Sequence, residues 1–235
     1  MTEKVRENFR IENQPAFVLQ TYPWRETSLI VEIFTRDYGR VPLVAKGAKR
    51  PASKFRGLLN AFSPLLVNFS GKNEVKTLTD VNWFGVLLIH EKALMPAFYL
   101  NELIVRFTER LEPYPALFSS YSRTLKDLSQ DETKRVVLRY FEMDLLQAIG
   151  YGLPESDFSN EWYSYSQGEF CEITSPQEGL GVPVRGKTLR QLAMRSLSVG
   201  QEEKEARSLT REMIRYHMED KSLNTRRIME ELARL

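Results

Sequence analysis

Residues 28–45 read SLIVEIFTRDYGRVPLVA, and this stretch decides the class of fold. Its first half alternates, with Leu29, Val31 and Ile33 on one face, which is the period of a half-buried strand. The tripeptide Asp-Tyr-Gly at 37–39 is a tight-turn signal, and the second half alternates in the same way. The stretch therefore predicts an antiparallel β-hairpin.

Three further strands are predicted on either side of this hairpin. Residues 16–21 form a short apolar run before a turn-favouring Tyr-Pro pair, and alternating runs follow at 65–69 and 77–83. Such short strands favour a small closed barrel, because an open sheet of this size leaves its edges unpaired. We predict a five-stranded OB-type barrel, and an SH3-like barrel would give a similar pattern.

After residue 90 the apolar period changes from that of strands to that of helices. Gly150 and Gly152 are typical stop signals, and Pro113 ends the first segment. Because strands come first and helices afterwards, the predicted class is α+β. The helical patterns lie at 100–111, 138–149, 189–197, 202–217 and 226–235.

This order predicts three parts along the chain. Residues 1–14 are charged and are predicted to form a flexible arm, 15–86 the OB barrel, and 87–235 a helical domain. Within the helical domain, 154–188 is rich in Gly, Ser, Pro and acidic residues. We predict an irregular acidic insertion there.

Composition excludes several classes of protein. The apolar fraction is 42%, and there is neither a long uncharged apolar run nor a secretory signal, so we expect a protein of the cytoplasm, associated with the nucleoid, and no membrane contact. Cys171 is the only cysteine, which excludes an internal disulfide and a cysteine-cluster metal site. We expect no bound metal and no cofactor.

The net charge of +2 hides two segments of opposite sign. Residues 36–56 contain seven basic residues and one acid, whereas 142–178 contain eight acids and no Lys or Arg. Basic side chains release counterions from phosphates, and interleaved aromatics stack on bases without demanding a sequence. A solvated loop is the alternative. The predicted DNA-binding residues are Arg25, Arg36, Arg40, Lys46, Lys49, Arg50, Lys54 and Arg56, with Phe34, Tyr38 and Phe55 between them.

A second candidate site lies in the helical region. Arg139 follows Leu138 and precedes Phe141, so a cation could lie beside an apolar groove, with Lys134 one turn away. Such a groove suits a short peptide that carries acidic and aromatic residues. We predict that Lys134, Arg139 and Phe141 bind a partner peptide.

One motif points to an enzyme and is rejected. Residues 181–188 fit the P-loop string G-x-x-x-x-G-K-[ST], but no buried parallel strand precedes them and Pro183 removes one N–H. We expect Gly186 to punctuate a loop and Thr188 to cap a helix. No other catalytic constellation is selected, and we predict that the protein is not an enzyme. A nucleotide hydrolase using Gly186-Lys187-Thr188 stays as the less favoured alternative.

Many short segments, in the right order, resemble the bacterial RecO family. None is specific alone, but together they run from about residue 15 to 235. They are Ala16-Phe-Val-Leu19, Trp24-Arg-Glu-Thr-Ser-Leu29, Gly39-Arg40, Leu43-Val-Ala-Lys-Gly-Ala48, Gly57-Leu-Leu, Phe62-Ser-Pro-Leu65, Glu74-Val-Lys-Thr-Leu78, Tyr99-Leu-Asn-Glu-Leu103, Arg139-Tyr-Phe-Glu142, Gly150-Tyr-Gly152 and Leu223-Asn-Thr-Arg226-Arg227.

The resemblance implies a recombination mediator of the RecF-type pathway in DNA repair. It implies binding of single- and double-stranded DNA and annealing of complementary strands. It also implies contact with the C-terminal tail of single-strand DNA-binding protein, a complex with RecR and loading of RecA. Many relatives carry a four-cysteine zinc motif near 155–180, where this chain has only Cys171, so it resembles the zinc-free branch of some proteobacteria. An RNA- or ribosome-binding OB protein is the main alternative.

Overall fold

The computed structural model describes residues 10–130, 136–218 and 223–232. Strands come first and helices dominate afterwards, so the predicted α+β class is confirmed. The first five strands are β1 (Arg10–Trp24), β2 (Ser28–Thr35), β3 (Gly39–Ala45), β4 (Pro64–Ser70) and β5 (Lys76–Trp83). The remaining elements are α1 (Glu91–Phe107), α2 (Pro115–Gln130), α3 (Val136–Ala148), β6 (Trp162–Ser166), β7 (Glu169–Ile173), β8 (Val182–Arg185), α4 (Gly186–Ala193), α5 (Gln201–His217) and α6 (Asn224–Leu232).

The first five strands form a closed barrel in the order β1-β2-β3-β5-β4. The predicted hairpin is confirmed, since β2 and β3 pair antiparallel from Leu29 opposite Ala45 to Thr35 opposite Gly39. β1 is long enough to pair with β4 through its first half and with β2 through its second half. A short parallel contact between β3 and β5 closes the ring, which is the five-stranded Greek-key barrel of an OB fold.

The alternation along the strands builds two hydrophobic cores. On β1, Ala16 and Val18 point into the barrel, while Phe17 and Leu19 point outwards into the core of the helical region. On β2, Ile33 and Phe34 divide in the same way. Because successive side chains of a strand face opposite sides, one strand can serve both cores.

The helices pack directly on the outward face of the barrel. The rings of Phe17 and Phe34 lie 5.5 Å and 5.6 Å from that of Phe118 on α2. Asn101 on α1 donates from Nδ2 to the carbonyl of Leu19 over 2.7 Å, and Tyr121 donates its hydroxyl to Asn101. These buried hydrogen bonds fix α1 against β1, because a buried polar group left unpaired is costly.

The structure differs from the predictions in three places. Residues 10–14, predicted as part of the flexible arm 1–14, belong to β1, whereas 1–9 lie outside the described residues. α2 was not predicted: its Ser- and Thr-rich sequence is a weak helix former, and packing of Leu117, Tyr121 and Leu125 in the core stabilises it instead.

The third difference is the segment 154–188, which was expected to be irregular. It contains a three-stranded antiparallel sheet in the order β7-β6-β8. Tyr163 and Tyr165 on β6 are buried in the core of the helical region. Strands of only four or five residues give too short a period to recognise, and it is this burial that orders them.

No helix in the described part of the chain is long and apolar enough to cross a membrane.

Candidate nucleic-acid interface

Two connections meet at one end of the barrel. The β1–β2 turn covers residues 25–27, and the long β3–β4 connection begins at Lys46. Lys49 donates its backbone N–H to the carbonyl of Thr27 over 2.9 Å, and the Gly47 N–H donates to Ser28 Oγ over 3.2 Å. These bonds hold the start of the connection against the turn, so residues that are 20 or more positions apart share one surface.

Four exposed cations lie on this surface, and we call them the basic rim: Arg25, Lys46, Lys49 and Arg50. Within the described residues, none of the four forms an ion pair with a carboxylate. Gly47 adopts φ +67°, and the N–H of Arg50 donates to its carbonyl over 3.0 Å, which tightens the loop. Positive charge that is exposed and uncompensated is what a phosphate backbone needs.

An exposed aromatic ring lies next to the basic rim. Trp24 ends β1 and is 43% exposed, and the guanidinium carbon of Arg25 lies 6.0 Å from its ring centroid. A large flat ring beside cations is suited to stacking on a base. Sequence analysis did not single out Trp24, although its place in the turn beside Arg25 was a usable signal.

The three aromatic residues predicted to stack on bases have other roles. Phe34 is fully buried against the helices and Phe55 is buried inside the barrel. Tyr38 is half-buried, with its ring 6.0 Å from that of Phe69. Phe34 and Phe55 are therefore corrections to the predicted stacking surface, because both are needed to fill hydrophobic cores.

Arg36 lies at the opposite end of the barrel from the basic rim. It is in the β2–β3 turn, a full strand away, which corresponds to roughly 20 Å. Its guanidinium donates two hydrogen bonds of 3.0 Å to Asp37 and lowers the pKa of that carboxyl. Arg36 is exposed but is separate from the rim.

Arg40 is not available to a ligand, which corrects its predicted role. Its side chain is 11% exposed, and Nη1 lies 2.7 Å from Glu32 Oε1, while Nη2 donates to the Thr108 carbonyl over 2.6 Å. Arg110 Nη2 contacts the other oxygen of Glu32 over 3.0 Å. Burial lowers the pKa of Arg40, and Glu32 opposes this shift. We call Glu32, Arg40 and Arg110 the junction cluster, because it ties the barrel to the chain after α1.

Lys54 and Arg56 follow the basic rim within the β3–β4 connection. Both are exposed, and Lys54 Nζ donates to the Thr79 carbonyl over 2.7 Å and to Asp80 Oδ1 over 2.9 Å. The ammonium group lowers the pKa of Asp80. Among the described residues, Arg56 donates to the carbonyl of Pro51 alone, over 3.2 Å. Arg56 thus keeps its charge uncompensated, whereas Lys54 shares its charge with Asp80.

The predicted peptide groove at Arg139 does not have the expected form. Phe141 is fully buried, and Arg139 is buried with its Nη2 2.7 Å from Glu142 Oε1. Glu142 also accepts hydrogen bonds from Tyr99 and Thr210. Lys134 lies outside the described residues. The helix period places Phe141 in the core, so it lines no surface groove, and Arg139 neutralises a buried carboxylate.

The rejected P-loop string also lacks a phosphate cradle in the structure. β8 lies within the string and is antiparallel to β6, and acidic side chains of α5 contact the residues that would hold phosphate. Lys187 Nζ lies 2.7 Å from Glu202 Oε1, and Thr188 Oγ1 donates to Glu205 Oε2 over 2.7 Å. Thr188 lies within α4, which has Arg185 as its N-cap, so the predicted capping role of Thr188 was wrong.

Cys171 is exposed on β7. No group of three or more His, Cys, Asp or Glu side chains in the described ranges is arranged to hold a metal ion. In the segment 155–180, Tyr163 and Tyr165 are buried in the core of the helical region.

Comparison with known proteins gives matches over most of the chain. The family model described as Recombination protein O N terminal matches residues 10–86, and the one described as Recombination protein O C terminal matches 92–227. A protein named DNA repair protein RecO from Aromatoleum aromaticum is 43% identical over 237 residues, covering 96% of this chain and 98% of the relative. The protein of the same name from Ralstonia nicotianae is 40% identical over 244 residues, covering 98% of this chain and 88% of the relative.

Proposed function

Because the chain belongs to the RecO family of DNA repair proteins, we propose that it is a recombination mediator that binds DNA through the basic rim of its OB barrel. The observation that supports this site is the meeting of Arg25, Lys46, Lys49 and Arg50 at one end of the barrel, uncompensated by carboxylates among the described residues. Arg56 extends the surface along the β3–β4 connection. Lysine and arginine contacts to phosphates bind single and double strands alike.

Trp24 gives the site a preference for single strands. In a duplex the base faces are stacked on each other, whereas in a single strand they are free to stack on an exposed ring. The ring is held beside Arg25 at the edge of the rim, so one strand can contact both phosphate-binding and base-binding groups.

Annealing of complementary strands needs no catalytic residue in this arrangement. Two single strands repel each other through their phosphates, and cations that neutralise part of this charge let them approach. Base pairing then supplies the free energy. We therefore assign the protein an adaptor role in homologous recombination, without a chemical step of its own.

The proposed DNA site is tested by fluorescence anisotropy with a labelled oligo-dT and a labelled duplex over a range of salt concentrations. The affinity should fall with a slope of about 0.7 log units per log unit of salt for each single-strand phosphate contact. The double variant Lys49→Glu/Arg50→Glu should lower the slope and weaken binding roughly 25-fold near 0.1 M salt, because two such contacts are lost.

Arg36→Glu is the matched control for the single variant Lys49→Glu, since both replace one positive charge by a negative one on the same barrel, at opposite ends. It should leave the affinity within about twofold. Equal losses in both variants would show that only net charge matters and would remove the rim as a site. An RNA oligonucleotide of equal length in the same assay distinguishes the RNA-binding alternative, which predicts tighter binding of RNA than of DNA.

We place the protein partners on the helical region, as the family resemblance implies. The partners are RecR and the C-terminal tail of single-strand DNA-binding protein. The expected outcome of these contacts is the loading of RecA onto coated strands. Titration of a labelled acidic tail peptide tests the first contact. Because Arg139 is buried against Glu142, the variant Arg139→Ala must be shown to be folded before a loss of peptide affinity is assigned to it.

Annealing of oligonucleotides coated with single-strand DNA-binding protein tests the whole proposal. The wild type should accelerate annealing, and the double rim variant should not. Acceleration by the rim variant at the wild-type rate would contradict the assigned site.

A further inference from the structure

The acidic segment 142–178 lies beside an aromatic pocket that the proposed DNA site does not use. The pocket is a cavity of about 390 Å³ between the β6–β7 hairpin, the loop after α3 and the end of α5. Its aromatic and sulfur-containing lining consists of Tyr151, Tyr165, Phe170, Met213 and His217.

The aromatic rings of the lining form two pairs. The rings of Tyr151 and His217 are stacked, with centroids 3.8 Å apart and an interplanar angle of 23°. The rings of Tyr165 and Phe170 are 4.9 Å apart. The faces of aromatic rings carry partial negative charge and attract cations.

Tyr165 provides a polar group in this lining that has no partner. Its side chain is 1% exposed, and its hydroxyl oxygen has no hydrogen-bond partner among the described residues. Burial raises the pKa of this hydroxyl to about 12, so it stays protonated. The hydroxyl is closed to water, so Tyr165 contributes its ring to the lining and its oxygen is out of reach of a ligand.

The charge around the pocket is negative. Glu169 lines the opening and is exposed, and no ion pair compensates it within the described part of the chain. Glu212 lies close enough to Tyr165 to affect its pKa but is paired with Arg215 over 2.6 Å. The segment 142–178 contains eight acids and no Lys or Arg, but the first two of these acids are ion-paired with arginines from outside the segment. Among the described residues that line the pocket, Glu169 carries the uncompensated charge, which repels nucleic acid and attracts a cation.

The β6–β7 turn packs closely against α5 beside the pocket. Gln167 and Gly168 both have positive φ, at 52° and 89°, which gives the tight turn of a two-residue hairpin. A Cβ on Gly168 would lie only 2.8 Å from Cε1 of Tyr216. The sequence therefore requires glycine where the hairpin passes α5.

We propose that this pocket binds one arginine side chain of a basic segment on a protein partner. A guanidinium is planar, so it can stack on the Tyr151–His217 pair, and its N–H groups can donate to Glu169. A lysine ammonium is compact and stacks less well.

Methyl NMR of the full-length protein tests the site. The methionines are labelled with ¹³C in the methyl group, and the Met213 signal is assigned with Met213→Leu. The probe is the blocked peptide Gly-Gly-Arg-Gly-Gly, and its counterpart with citrulline has the same shape without the charge. The arginine peptide should shift the Met213 signal in a saturable way, and the citrulline peptide should bind at least about fivefold more weakly.

Two variants separate the contributions to binding. Tyr151→Ala removes half of the stacked pair, and Glu169→Gln removes the charge at the opening. Each should weaken the arginine peptide about threefold to tenfold. Glu161→Gln is the matched control, since it neutralises an exposed acid of the same segment that does not line the pocket, and it should change the affinity less than twofold.

The proposal is overturned by any of three results. These are no shift of Met213 with the arginine peptide, an equal shift with the citrulline peptide, or an affinity unchanged in both Glu169→Gln and Tyr151→Ala. A Met213 shift produced by oligo-dT and not by the peptide would also overturn it. The signals of the other methionines show whether each variant is folded.

Discussion

The basic rim and the junction cluster both contain cations of the barrel. The cations of the rim are exposed, whereas Arg40 of the junction cluster is paired with a buried carboxylate. The rim residues Lys46, Lys49 and Arg50 end in solvent without carboxylate partners in the described chain. In the junction cluster, Glu32 is 1% exposed and contacts both Arg40 and Arg110, and the segment after α1 lies over it. A cation that lies among others in the sequence can therefore bind a ligand or stabilise the fold. Its contacts in the folded protein decide between these two roles.

The largest effect that this comparison predicts is on stability. Glu32→Ala leaves Arg40 and Arg110 facing each other without the carboxylate between them, and should lower the free energy of unfolding by about 3 kcal/mol. Lys49→Ala on the rim should change it by less than about 0.5 kcal/mol. Urea denaturation followed by circular dichroism measures both. If Lys49→Ala cost as much as Glu32→Ala, the distinction between the two sets would be wrong.

A smaller effect is expected when the charge at the junction is kept and its geometry is changed. In Arg40→Lys the ammonium group cannot contact Glu32 and the Thr108 carbonyl at the same time, so the free energy of unfolding should fall by about 1–2 kcal/mol. The affinity for DNA should stay within about twofold. A tenfold loss of DNA affinity in a folded Arg40→Lys protein would place Arg40 back in the DNA site.

Removal of the exposed Trp24 ring should affect DNA binding at the basic rim and leave the junction cluster unchanged. Trp24→Ala should weaken binding of a single strand about fivefold, the lower range for loss of one stacked base, and should weaken duplex binding much less. Trp24→Phe keeps a ring and should restore part of the affinity. Anisotropy with oligo-dT and with a duplex of the same length measures the difference, and equal losses for both would exclude stacking.

The smallest effect concerns Lys54, which is intermediate between the two sets. It is exposed like the rim residues but donates to Asp80 over 2.9 Å. Asp80→Asn removes this competitor, so the affinity for single strands should rise by up to about fivefold, which is one phosphate contact. In the double variant Asp80→Asn/Lys54→Met the gain should disappear. A gain that persists would come from the lost negative charge alone.

Local sequence patterns were sufficient to predict most of the strands of the barrel. The alternation in β2 and β3 and the Asp-Tyr-Gly turn gave the hairpin, because period and turn chemistry are properties of neighbouring residues. The same reasoning failed for α2 and for the sheet β6–β8. Their sequences are weak in propensity or short, and contacts with distant residues such as Phe17 stabilise them.

The candidate site was predicted only in part. Clustering of charge along the chain found Lys46, Lys49 and Arg50, which the structure keeps together. It also included Arg36 and Arg40, because distance along the sequence does not show at which end of a strand a residue lies. Arg25 joins the others through the bond between Lys49 and Thr27, a contact across 22 positions of the chain.

The sequence by itself determined the strands and the hairpin of the barrel, the change to helices after residue 90 and the sign of the charge in each segment, since all of these depend on residues close to one another in the chain. Only the tertiary structure decided which cations are free and which are neutralised, that Phe34 and Phe55 fill cores while Trp24 is exposed, and that the acidic segment lines an aromatic pocket. Burial and ion pairing are set by residues far apart in sequence, and closure of the fold is what brings them together.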